Sequence, residues 1–127
     1  MAILTEGSRA AQFLVSEANG WRSRDAAIVT VPASTTFAAG TVLGRQTSGG
    51  KYVRHDTDGT DDGRRVAVAV LVAPATNDTL SAVDVDAAVI VRSAEVTAAD
   101  LTYEDGANDA AKVIANTAMA AVGIIAR

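Results

Sequence analysis

The chain has 127 residues and a mass of 12.9 kDa, with no cysteine and a net charge of −4 from eleven basic and fifteen acidic residues. That length fits one domain. Disulfides, thiolate metal sites and cysteine nucleophiles are excluded, and the acidic balance speaks against general nucleic-acid binding.

The longest apolar run, Val66–Ala75, is about half of what a membrane span requires. Met1–Gly7 carries neither the basic cluster nor the apolar stretch of a secretory signal. The expectation is a soluble domain made in the cytosol, without a membrane partner. There are 27 alanines and 16 valines against five aromatics. Valine suits strands, and with so little aromatic area to bury, contacts between chains are expected to supply part of the stability.

Residues 1–25 read differently from the rest. Met1–Ala11 has no sustained period. Phe13-Leu14-Val15 makes a short extended candidate that stops at the turn signal Asn19-Gly20. Trp21 and the cluster Arg22-Ser23-Arg24-Asp25 follow. The pattern fits either a first strand or an arm that orders on a partner.

From Ala26 the strand signals become regular. Ile28–Val31 stops at Pro32, and Leu43–Val53 reads as a hairpin turning at Gly49-Gly50. Val66–Val72 is a continuous apolar run, as for a strand buried on both faces, and Leu80–Val91 reads as one long strand. Short spacings leave no room for crossover helices, which predicts mostly antiparallel sheets. One helix is predicted, capped by Asp109, with Ala110, Val113, Ile114, Thr117, Ala118 and Ala121 at helical spacing. Gly123 stops it, and Ile124-Ile125 forms a last short strand. The fold class is mainly β with one short C-terminal helix.

Candidate chemistry is thin. Asp56, Asp58, Asp61 and Asp62 offer oxygen ligands, but a calcium loop places Gly sixth and Glu twelfth. Counted from Asp56, those positions hold Asp61 and Ala67, so the segment reads as a solvated turn. Gly44–Lys51 lacks the spacing of a phosphate loop and reads as a hairpin turn. His55, the single histidine, falls in a hydrophilic stretch with no serine in a nucleophile context, and reads as solvated. Glu95 with Glu104 or Asp100 is a weak pair for glycoside cleavage. Arg22 and Arg24 are too few to hold a nucleic acid and suit salt bridges to a partner chain. No metal, no cofactor and no enzymatic activity are expected.

Several segments carry a resemblance. They are Phe13-Leu14-Val15-Ser16-Glu17-Ala18-Asn19-Gly20 with Arg22-Ser23-Arg24-Asp25, then Ala39-Gly40-Thr41-Val42-Leu43-Gly44 and Gly50-Lys51-Tyr52-Val53. Next come Asp62-Gly63 leading into Ala67–Leu71, Val89-Ile90-Val91-Arg92 through Glu95-Val96, and the ending Gly123-Ile124-Ile125-Ala126-Arg127. In this order the chain resembles the head decoration proteins of tailed bacteriophages, of the lambda type, over nearly its whole length.

The resemblance implies a β-clip (β-tulip) domain over residues 26–127 and an N-terminal capsid-binding arm over 1–25. It implies a homotrimer on the outer surface of the expanded head, at three-fold and quasi-three-fold sites. There it would stabilise the shell against internal DNA pressure, with the major capsid protein as partner and no direct contact with nucleic acid. On that reading the arm adds a strand to the capsid protein. Phe13, Leu14, Val15, Ser16 and Glu17 form that strand, Trp21 is an anchor, and Arg22 and Arg24 meet acidic groups of the shell. The lambda-type arm is polar and contains proline, so these residues are assigned by position. Deleting Met1–Gly20 is expected to leave a folded domain that no longer binds heads. A virion surface module that binds host glycans is the alternative, and would need exposed aromatics such as Trp21, Tyr52 and Tyr103.

Overall fold

A computed structural model describes residues 9–20 and 22–127. The expectations placed on Met1–Ser8 and on Trp21 lie outside the described residues. The fold is mainly β with a single helix near the C-terminus. Its longest strands, β2 (Arg24–Val31) and β8 (Val83–Ile90), pair antiparallel from Arg24↔Ile90 to Val31↔Val83. Strands β4 (Val42–Arg45), β5 (Tyr52–Arg54) and β6 (Ala69–Leu71) complete a closed barrel in the order β2-β5-β4-β6-β8. The β4–β5 hairpin forms as predicted, and both turn glycines, Gly49 and Gly50, have positive φ (84° and 69°), which only glycine adopts without strain. At one end, β3 (Thr35–Phe37) and β7 (Ala75–Asn77) form a two-stranded ribbon.

Outside the barrel, β1 (Leu14–Glu17), β9 (Ala94–Val96) and β10 (Ile124–Ala126) form a separate sheet in the order β1-β9-β10. Strand β9 is antiparallel to β1 and parallel to β10. Between β9 and β10 runs α1 (Asp109–Ala121), so this pair is a crossover connection of the kind the spacing argument excluded. Parallel neighbours need a long return path, and the segment between Val96 and Ile124 is long enough to supply it.

Two hydrophobic clusters share one wall. Along β4, β6 and β8, successive side chains point to opposite faces. Leu43, Ala69, Leu71 and Val89 fill the barrel with Val29, Val31, Phe37 and Tyr52. Val42, Val70, Val72 and Ile90 face the other way and pack with Phe13, Val96, Ala115, Met119 and Ile124. Both faces of β6 are therefore covered, which accounts for its unbroken apolar sequence. The strand is shorter than the Val66–Val72 run, however: Val66 is 54% exposed and Val68 only half-buried, because the chain is still leaving the 56–65 loop there.

Two boundaries differ from the sequence reading. Asn108, not Asp109, caps α1, its Oδ1 accepting from the Ala111 N–H at 2.9 Å. The long strand begins at Val83 rather than Leu80, because Asn77 ties the preceding residues into a loop. Its side-chain amide donates to the carbonyls of Val31, Pro32 and Ser81, and its Oδ1 accepts from Thr79.

Candidate functional site

The segment expected as an arm supplies a strand and a core side chain to this chain's own fold. Phe13 is 1% exposed, inside the cluster beneath α1. It fits there because Gly40 stands against it: a Cβ on Gly40 would meet the Phe13 ring at 3.4 Å and the Asp100 carbonyl at 2.7 Å. The Thr97 N–H donates to the Phe13 carbonyl at 2.7 Å, and the Ala18 N–H to that of Ser93 at 3.0 Å. Along β1 the register runs Leu14↔Val96, then Ser16↔Glu95, with an irregularity between them. Val15 is thus the extra residue of a bulge and stands 54% exposed. The side of β1 away from β9 has no strand partner among the described residues.

At the end of β1, Glu17 closes a polar clasp onto β2. Arg24 donates from Nε and Nη2 to the two carboxylate oxygens at 3.0 and 2.7 Å, a bidentate pair. The hydroxyl of the fully buried Ser23 donates to Oε2 as well. The Arg24 hydrogen bond, then that of Ser23, holds the Glu17 carboxyl below its usual range, and Glu17 in turn raises the Arg24 guanidinium. Beside the clasp, Arg92 pairs with Asp25 at 3.0 Å and donates to the Arg22 carbonyl at 2.7 Å.

The predicted residues therefore separate. Phe13 points inward and Leu14 is half-buried against the same cluster. Glu17 and Arg24 engage each other, while Val15, Ser16 and Arg22 face solvent. The Arg22 guanidinium has no ion pair among the described residues. In the sequence, Ser23 and Asp25 fall in a charged cluster and Arg92 in a matching segment, but none of the three has a role there, because nothing in the sequence shows which residue each one meets.

The other candidates are built into the scaffold. His55 is 1% exposed, not solvated. Its Nε2 lies 3.2 Å from the Arg65 carbonyl, which can only accept, so Nε2 carries the proton. Nδ1 has no partner among the described residues. Asp62 binds Arg64 through both oxygens and accepts from Gln46, and the Arg64 bond pulls its carboxyl far below the usual range. Gly63, at φ 108°, lets this loop lie on β4: a Cβ there would stand 2.1 Å from the Arg45 carbonyl. Glu95 pairs with Arg127, whereas Glu104 accepts from Thr57. No group of three or more metal-ligating side chains occurs among the described residues.

A small barrel thus carries a three-stranded sheet whose N-terminal strand, β1, has no second strand partner among the described residues, and the polar groups beside it are engaged in clasps within the chain. A model of the bacteriophage lambda head decoration protein D family matches residues 3–124. The chain belongs to that family. No curated protein matches it. The match takes in β1, the Glu17–Arg24 clasp, the barrel and α1. As a head decoration protein the chain has a structural role in the phage capsid rather than an enzymatic one, and its partner is the capsid.

Proposed function

We propose that the chain is a homotrimeric cement on the outer surface of the expanded head, seated at three-fold and quasi-three-fold positions and bound to the major capsid protein through its N-terminal segment. The observation that carries this reading is the position of β1. One edge of β1 lies on β9 and the other has no strand partner among the described residues, so a strand of the capsid protein can pair with it while Phe13 stays in the core. Val15 and Arg22 are exposed and available to meet the capsid protein. Three such segments on one trimer reinforce one another, because engaging the first raises the local concentration of the others. Many such clamps resist the outward pressure of packed DNA.

Co-sedimentation with expanded, undecorated heads tests the reading. Deleting Met1–Gly20 does not serve, because it removes Phe13 and all of β1; deleting residues 1–8 and, separately, changing the exposed Val15 to Asp keeps both. Saturable binding of the intact chain, weakened by either change, is the expected result. Unaltered binding by both variants would remove the N-terminal segment from the interface, and no binding by the intact chain would sink the cement role.

A further inference from the structure

The chain has four asparagines, at positions 19, 77, 108 and 116, and the fold ties down three of them. The Asn77 amide donates to the carbonyls of Val31, Pro32 and Ser81. Asn108 caps α1, and the Asn116 Oδ1 accepts from the Tyr103 hydroxyl at 2.6 Å. Asn19 is different. It is exposed, in the turn between β1 and β2, and its amide has no hydrogen bond among the described residues. It is also the one asparagine followed by glycine. Gly20 has φ 70°, and a Cβ placed on it would meet nothing within 4 Å. The Gly20 N–H has no acceptor among the described residues.

We propose that Asn19 is a site of spontaneous covalent modification, in which the Gly20 nitrogen attacks the side-chain amide and water completes the conversion to aspartate and isoaspartate. Glycine lacks the Cβ that would hold its main-chain nitrogen away from the amide carbon, and here both reacting groups are free. The Gly20 nitrogen gives up its proton and forms a bond to Asn19 Cγ. The Cγ–Nδ2 bond breaks, and the amide nitrogen takes up a proton and leaves as ammonia. Water then adds to one carbonyl of the resulting five-membered cyclic imide and opens the ring. Opening at Cγ leaves aspartate, and opening at the main-chain carbonyl carbon leaves isoaspartate. Either product gains one negative charge just beyond Glu17, and isoaspartate lengthens the link from β1 to β2 by one carbon. The three Asp-Gly pairs could close the same ring by expelling water, but each is held. Asp62 is bound by Arg64 and Gln46, Asp105 by Arg54, and the Gly59 N–H by the Asp56 carbonyl. Only at Asn19-Gly20 are the side chain and the glycine nitrogen free together among the described residues.

The test is to store the full chain at neutral and at mildly alkaline pH and follow it by intact mass and peptide mapping. Isoaspartate is read in parallel as methyl acceptance from S-adenosylmethionine by a protein isoaspartyl methyltransferase. The expected result is one mass gain per chain, equal to exchanging NH2 for OH, mapped to Asn19 while the other three asparagines stay intact. It should be faster in alkali, because the attacking nitrogen must lose its proton, and methyl acceptance at the same peptide should rise with it. Asn19→Gln should lose both signals, since its longer side chain cannot close the five-membered ring. Asn19 is exposed, so the urea midpoint of this variant should match the parent, which separates lost chemistry from lost fold. Conversion at Asn19 no faster than at Asn77, Asn108 and Asn116 overturns the proposal. So does a mass gain without isoaspartate, which would mean direct hydrolysis of the amide. The experiment needs no heads, so its outcome is independent of whether the decoration reading holds.

Discussion

Truncating Phe13 to alanine is expected to cost about 3–5 kcal/mol, the usual penalty for removing a buried aromatic ring. The cause is its place among Val42, Leu101 and Met119, sealed by Gly40. A fall in the urea midpoint at unchanged slope is the measurement, and a loss of less than ~1 kcal/mol would show that β1 is not docked in solution. Phe13 was legible as an apolar anchor, but not its destination, since an aromatic next to Leu and Val fits a core or a partner equally well. His55 was misread for the opposite reason. Its neighbours Arg54, Asp56, Thr57 and Asp58 are polar, yet the alternation of β5 carries past the strand's end and sets Val53 and His55 together on the face opposite Tyr52, where both are buried and His55 meets the Arg65 carbonyl.

At the level of elements, the clasp between β1 and β2 gives a pH dependence with a definite sign. The Glu17 carboxyl is lowered in the folded chain, chiefly by Arg24. Its contribution is therefore present above the ordinary carboxylate range and is lost as pH falls through the folded value. Glu17→Gln is expected to be less stable than the parent at neutral pH and to converge with it in acid, as followed by urea midpoints across that range. A constant difference at all pH values would assign the loss to packing instead. Asp84, held low by Lys51, and Glu95, held low by Arg127, titrate in both proteins and cancel in the difference.

The sequence revealed the elements unevenly. Strands β2 and β8, the β4–β5 hairpin, α1 and β10 announced themselves through length, β-branched residues or glycine. The three-residue strands β3, β7 and β9 are too short to show a period. The orientation of α1 was hidden by alanine, which tolerates both faces. Val113 and Ile114, the residues a periodicity reading takes for core, are the ones facing out.

On the scale of the whole molecule, β4, β6 and β8 belong to both clusters, so neither cluster can unfold alone. Val70→Ala empties space on the helix side and Leu71→Ala on the barrel side. The second is expected to cost about 2–5 kcal/mol. Each variant should lower one common transition, seen alike in backbone circular dichroism and in the signals of Tyr52 and Tyr103. A Leu71→Ala protein that loses the Tyr52 signal first and keeps its helix would show two independent units instead. This shared wall was partly readable, as the apolar run at β6. The closure of the barrel through the single parallel contact Val29↔Tyr52 was not, because it joins segments with no common local pattern.

The antiparallel docking of β1 on β9 also has a mechanical meaning. Hydrogen bonds in such a pair lie across the strands. Tension directed along β1 strains them together, in shear, with the Phe13 ring seated behind them. Tension at right angles opens them one at a time, like a zip. If β1 carries the load of the proposed capsid attachment, it has a strong axis and a weak one, and its resistance to a sudden pull is set by orientation more than by the depth of the folded state.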